Sequence, residues 1–443
     1  MRENKIYTTV TGSTVTLYWR KPWNFSREDY FQIFCETTGL LGQTETTHFT
    51  ARNLEPDTEY VFEVRWKSGN RYMRRTRVST KTNENKRRID ISKAPYFACG
   101  DGETNNTRAI QQAIYDCDSE SEVYIPSGIF LTGALDLHSN MAIYLEEGAI
   151  LKGSCRAKDY LPKQKSRFEG IERECYRSLL NIGIMNHIQK ETCENLLIYG
   201  EGRIVGGGKK LAEDMIEKER QRLGKYLETL GERIQQCENE NTIPGRARGR
   251  LIQISNSRNV RISGLVIQDG PCWNIHMIYS SEIVTDHCRI SSQGIWNGDG
   301  WDPDSSRDCR IFHCTFCTGD DAVAIKSGKN PEGNVIAKPC EDIAVFDCKI
   351  EEGHGFAIGS EISGGIQGVY IWDCDVASSR YGIEIKGTKK RGGYVKNVSV
   401  QNCITSGIHV HTISYNDDGE PARYPSVYSG FRFKDIQIAT NNQ

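Results

Sequence analysis

The stretch DCRIFHCTF (308–316) reads apolar-x-apolar-x-x-small-x-apolar, counted from Cys309. The same template recurs in NVRISGLVI (259–267), EIVTDHCRI (282–290), DIAVFDCKI (342–350), GVYIWDCDV (368–376) and NVSVQNCIT (397–405). Start-to-start spacings are 23, 26, 34, 26 and 29 residues. Units of this length that alternate with a period of two and are rich in β-branched residues describe the coils of a parallel β-helix, each strand stacked on its counterpart in the next coil. The period of two excludes a helical solenoid. Cys288, Cys314, Cys348, Cys374 and Cys403 occupy one template position, so they are expected to stack inward as small apolar side chains.

Working outward, MAIYLEEGAILKGS (141–154) and NLLIYGEGRIVGG (195–207) extend the ladder toward the N-terminus. KKLAEDMIEKERQRLGKYLETLGERIQQCENEN (209–241) interrupts it with helix-forming composition and spacing, and is expected to flank the coils. Residues 1–84 differ in kind. TVTLYW (14–19), YFQIFCE (30–36), YVFEVRW (60–66) and RTRVST (75–80) alternate in short blocks, as in a half-buried antiparallel sandwich. NLEPDTEYVFEVRW (53–66), with Trp19 on an earlier strand, resembles fibronectin type III domains, in which a Leu-x-Pro turn precedes a Tyr-bearing strand. The polar run at 85–94 reads as a linker, and 95–443 as one solenoid domain. The expected fold is therefore all-β: a right-handed parallel β-helix preceded by a fibronectin III-like β-sandwich.

The bulk numbers bound the function. Lys and Arg total 56 against 58 Asp and Glu, so no global field recruits nucleic acid, and a polyanionic ligand needs a local basic patch. No apolar run is long enough for a membrane span, and MRENKIYTTV lacks the apolar core of a signal peptide, which reads as cytoplasmic, or as secreted or periplasmic if a signal has been removed. The 16 cysteines show no zinc spacing and read mostly as buried free thiols. A monomer is the default expectation.

Equal offsets from the stacked cysteine should lie above one another at about 4.8 Å. Six residues on come Asp320, His354 and Arg380; twelve on come Lys326, Ser360 and Lys386. Matching DGWDPD (299–304) to DAVAIK (321–326) sets Asp299 above Asp321. Three carboxylates stacked this closely raise one another's proton affinity, and chemistry is the natural use of such a strip. Cleaving a glycosidic bond needs one protonated acid and one ionised carboxylate, which mutual repulsion supplies. Calcium binding, as in a β-helical lyase, and simple carbohydrate binding are the rival readings.

WNGDGWDPDSS (296–306), TGDDAVAIKSG (318–328), GHGFAIGSEISGG (353–365) and GIEIKG (382–387) resemble, in order, the four signature blocks of polygalacturonases, the family 28 glycoside hydrolases. CGDGETNNTRAIQQAIYDC (99–117) and VYIPSGIFLTGALDLHSN (123–140) look like that family's opening turns. Pro303 and the SEISGG tail look like its exo-acting branch. The resemblance implies an inverting hydrolase of pectic oligo- and polysaccharides with no metal or cofactor. Asp320 becomes the acid, Asp299 and Asp321 hold and deprotonate the water, and His354 supports the acid. Lys386, with Lys326 and Asn297, contacts substrate. One position departs from the family: Glu384 stands where an Arg is usual. Either Arg380 substitutes as the cation, with Lys389, Lys390 and Arg391 as a mostly solvated turn nearby, or Glu384 accepts hydroxyls of a neutral sugar, as in a rhamnogalacturonan-type substrate.

Overall fold

The structure is a computed structural model that describes residues 1–230, 246–413 and 419–439. It divides into two compact units, Met1–Arg88 and Ile89–Gln443.

In the first unit, Ile6–Val10, Val15–Trp19 and His48–Ala51 form one antiparallel sheet, and Gly39–Thr44, Asp29–Cys35, Glu59–Ser68 and Arg71–Lys81 form the other. The alternation of Asp29–Cys35 places Phe31, Ile33 and Cys35 inward. There Trp19 meets Phe31 edge-on, with ring centroids 5.0 Å apart. After the Leu54-Glu55-Pro56 turn, the Tyr60 hydroxyl accepts the Glu55 N–H at 2.9 Å, pinning the turn to its strand. This is the expected fibronectin III-like sandwich.

The second unit is the expected parallel β-helix. Among the described residues its coils present three faces of stacked parallel strands. One inward row runs Ile262, Thr285, Ile311, Val345, Ile371 and Val400, each the partner of the next. The five template cysteines are buried free thiols, as expected, and Cys288 N–H donates to Cys314 Sγ at 3.4 Å. Each residue before them has a positive φ: His287, His313, Asp347, Asp373 and Asn402 lie between 49° and 55°. Short polar side chains tolerate that left-handed corner, which explains the residue types at this template position. A second file of such corners, Asn140, Asn195 and Asn259, is linked by side-chain amide hydrogen bonds of 2.8 Å.

The amphipathic helix Thr107–Tyr115 adds Ile110, Ala113 and Ile114 to the core at the N-terminal coil. The run at 85–94 is more than a linker: Ile89 and Ile91 alternate within its charges and are buried in the helix core. Of the helical insertion, Gly208–Arg222 and Gly224–Leu230 are helical, while 231–241 lies outside the described residues. Leu211 and Met215 enter the core, and buried Glu219 pairs with Lys163 and with Arg222. No helix among the described residues is long and apolar enough to cross a membrane.

A stack of rings runs beside the cysteine file: Phe312 on Phe346 at 4.7 Å, and Phe346 on Trp372 at 4.3 Å. Phe346 is fully buried between its neighbours. Phe346→Ala should therefore destabilise the protein by about 3–5 kcal/mol, read as a lower urea midpoint at unchanged m-value.

Candidate active site

The nine-stranded face carries the polar strip. Its register pairs Trp301 with Val323, Val323 with Phe356, and Phe356 with Ile383, which fixes the turns that precede these strands. Two residues before each lie Asp299, Asp321, His354 and Tyr381, so Asp299 stacks on Asp321 as expected. The lower coils differ by one residue from equal counting. A bulge pairs Phe316 with Ile350 but Cys317 with Glu352, and the following turn is short. Tyr381, not Arg380, consequently lies under His354, their rings edge to face at 5.3 Å. Arg380 is exposed, with its guanidinium 4.9 Å from the Tyr381 ring centroid, and does not line the cavity. Gly359, not Ser360, falls in line with Lys326 and Lys386. Gly355, beside His354, has φ 137°, and a Cβ there would lie 2.1 Å from Gly382 O, so the stacking itself demands the glycine.

The turns converge on one cavity of about 250 Å³. Asp299, Asp320, Asp321, His354, Asn297, Lys326 and Lys386 all line it. Asp299 is nearly buried, and its Oδ2 takes the Lys326 ammonium at 3.1 Å. The same ammonium lies 3.0 Å from Asp302 Oδ1 and over the Trp273 ring at 3.5 Å. Asp321 Oδ2 faces the Lys386 ammonium at 3.1 Å. Asp320 is the most open of the three, with 24% of its side chain exposed, and its Oδ1 meets His354 Nδ1 at 2.9 Å. Asn297 sits in the left-handed region with φ 51°, and its Oδ1 accepts the buried Arg248 guanidinium at 2.6 Å. The loop that carries Asp299 is thereby tied to the segment 246–250, which leads into the strand Ile252–Ser255 of an earlier coil.

Electrostatics divide the acids. Burial raises Asp299 well above the usual carboxylate range; Lys326 opposes this, and Asp302, Asp320 and Asp321 add to it. Asp302 is pushed up to about 7 by burial, against the pull of Lys326. Asp321 is raised by burial and by Asp320, with Lys386 opposing. Burial acts upward on Asp320 as well, but the His354 hydrogen bond and charge outweigh it and leave Asp320 lowered. His354 is raised in return, chiefly by that hydrogen bond. Beneath the site, Asp304 is held at about 2: burial would raise it, but Arg167 at 2.8 Å and His276 at 3.3 Å prevail. Asp320, Asp321 and His354 offer donor atoms within 4.8 Å of one another, a spacing that also suits a cation, but Lys386 already brings positive charge to Asp321.

Sequence reasoning missed several wall residues. Glu169 sits between the hairpin strands Gln164–Phe168 and Ile171–Cys175, and it accepts Arg246 Nε at 3.0 Å. Arg391, read as part of a solvated turn, is buried. It donates from Nε to Ser360 O at 3.0 Å and from Nη1 to Asn330 Oδ1 at 2.8 Å. Lys389 and Lys390 are exposed, as expected. Lys329 and Glu361 complete the wall. No spacing rule flags Glu169, Arg246, Lys329 or Arg391, while Glu361 lies in the block GHGFAIGSEISGG (353–365) at an offset that the template does not single out. Glu384 does not line the cavity: its carboxylate is taken by Lys386 at 3.3 Å and His411 Nε2 at 2.9 Å.

Comparisons with known proteins identify the family of the chain. Residues 120–440 match the family Glycosyl hydrolases family 28. An exo-poly-alpha-D-galacturonosidase of Dickeya chrysanthemi is 27% identical over 413 residues, 87% of this chain and 68% of that protein. The structure of the Yersinia enterocolitica family 28 exopolygalacturonase shares the fold, with a TM-score of 0.83 and 22% identity over 100% of this chain and 88% of that one. A hyperthermoactive exopolygalacturonase from Thermotoga maritima is 29% identical, with a TM-score of 0.67 over 80% of this chain and 81% of that one. The chain is a glycoside hydrolase and belongs to glycosyl hydrolases family 28.

Proposed function

We propose that the protein hydrolyses α-linked galacturonate polymers from a chain end, with inversion at the cleaved carbon. The observation that carries this is the convergence of Asp299, Asp320, Asp321 and His354 from successive coils on one cavity whose wall also holds Arg246, Lys326, Lys329, Lys386 and Arg391. Local cations of that density suit a polyuronate on a protein whose net charge is only -2. The Dickeya chrysanthemi and Thermotoga maritima relatives, named for exo-acting cleavage of galacturonans, support the same substrate and the same mode. The hairpin tip at Glu169 and the segment around Lys329, joined by the Lys329 N–H to Gly170 O bond of 2.9 Å, wall the cavity, which favours attack at an end.

Each group then has one task. Asp320, at the open side, gives a proton to the departing glycosidic oxygen. Its own proton affinity is lowered, so the proton is supplied by the hydrogen-bonded His354–Asp320 pair, which His354 charges. Asp321, beside Lys386, takes a proton from the water that attacks the anomeric carbon from the opposite face. Asp299, whose proton affinity burial raises well above that of an ordinary carboxylate, orients that water. The neutral-sugar alternative drawn from Glu384 loses its basis, because that carboxylate is turned to Lys386 and His411.

Asp320→Asn is expected to lower kcat by about 10²–10⁴-fold while oligogalacturonate binding, measured by calorimetry, persists. Full turnover in that variant contradicts the acid assignment. A general acid works only while protonated, so activity falls as pH rises through the pair's pKa, which lies above the ordinary 6.5 of histidine. His354→Gln should move the alkaline limb of kcat/KM to lower pH. Product profiles on defined oligogalacturonates should show short saccharides released from one end, with little early loss of polymer viscosity. Products absorbing in the ultraviolet, and dependent on calcium, would mark a lyase instead.

A further inference from the structure

Glu384 is an acid beside the Lys386 ammonium of the cavity, and the surrounding geometry shows what it does there. The strand Gly382–Gly387 lies between Gly355–Ile358 and Ile408–Thr412, and Lys386 is the register partner of His411. Glu384 and Lys386 are two residues apart, hence on the same side of the strand. Both Glu384 oxygens are engaged: Oε1 by His411 Nε2 at 2.9 Å and Oε2 by the Lys386 ammonium at 3.3 Å. The same ammonium lies 3.1 Å from Asp321 Oδ2 and 3.5 Å from Oδ1. A continuous polar line thus runs from His411 through Glu384 and Lys386 to Asp321. Only its Lys386–Asp321 end borders the cavity.

We infer that Glu384 and His411 are a positioning pair that holds the Lys386 ammonium on Asp321, and that neither touches the sugar. A lysine head is a compact charge on a four-carbon stem, and one carboxylate fixes it poorly; a second anchor at 3.3 Å restricts it. The second anchor also divides the ammonium's charge between two carboxylates. Asp321 therefore remains a stronger base than it would be facing Lys386 alone, which is what water activation requires. The charged and titratable groups facing Asp321 are Asp320 on its own turn, His354 from the next coil, Lys386 and Glu384 from the coil after, and Asp299 and Asp302 from the coil above. Of these, Glu384 and Asp302 lie outside the cavity, and only Glu384 also anchors the Lys386 ammonium. His411, 42% exposed, is the outer anchor that keeps the Glu384 carboxylate turned toward Lys386.

This inference rests on the hydrolase reading with Asp321 as base, and its test separates the two. Initial rates on a defined oligogalacturonate are measured against pH for Glu384→Gln, His411→Ala, His411→Gln and Asp321→Asn, with folding checked by urea unfolding. Glu384→Gln should shift the acidic limb of kcat/KM to lower pH, because Lys386 then acts on Asp321 undivided. Its kcat should fall roughly ten- to hundredfold, with KM within about twofold of the parent. His411→Ala should lower kcat in the same sense. His411→Gln, which keeps an N–H donor in place of Nε2, should restore most of it. A Glu384→Gln protein with raised KM, unchanged kcat and an unmoved acidic limb makes Glu384 a sugar contact and overturns the positioning role. Inactive Asp321→Asn beside that result leaves the hydrolase reading intact. Asp321→Asn with parental turnover overturns both.

Discussion

In-register parallel stacking is the constraint from which the rest follows. Each coil repeats at the strand spacing, so any polar residue placed at one offset meets its counterparts from the coils above and below. For the inward row from Ile262 to Val400, apolar except at Thr285, this builds a core. For Asp299, Asp321 and His354 it forces carboxylates and imidazole into one small volume, where burial would drive all of them toward neutrality. Lys326 and Lys386, arriving on the strands of the same face, meet that cost with charge. The chemistry of the cavity is therefore a property of the register, held below by the buried Arg167, Asp304 and His276 contacts.

The fold was legible because its signal is periodic. The template cysteines, and the Asp, His or Asn before them, report a corner that every coil must turn. The stacking of Asp299 on Asp321 was legible for the same reason, once the extra residues of the longer coil were assigned to its turn. Equal counting failed one coil later, where the bulge at Phe316 and Cys317 and a shortened turn moved the register by a residue. Offset arithmetic carries no record of a bulge, so Arg380 was set under His354 in place of Tyr381.

The cavity wall was not legible. Arg391 lies in a run, KKR, whose first two members are solvated; its burial depends on Asn330 and the Ser360 carbonyl, both distant in sequence. Arg246 and Glu169 meet across 77 residues. Glu384 was noticed as a departure but given the wrong company, since His411 belongs to a coil outside the signature blocks. A charge at an unexpected place is visible in a sequence, whereas the partner that neutralises it is not.

The hairpin that brings Glu169 to the cavity is an excursion between two coils, and its strands pair only with each other. Its base is fixed to the coils, since Arg167 on its first strand pairs with Asp304 at 2.8 Å, while its tip at Glu169 and Gly170 stands outside the ladder that aligns the acids. A change confined to that tip alters how much of a polymer the mouth admits and leaves the coils in place. Mode of attack can thus diverge among such proteins while the reaction itself is preserved.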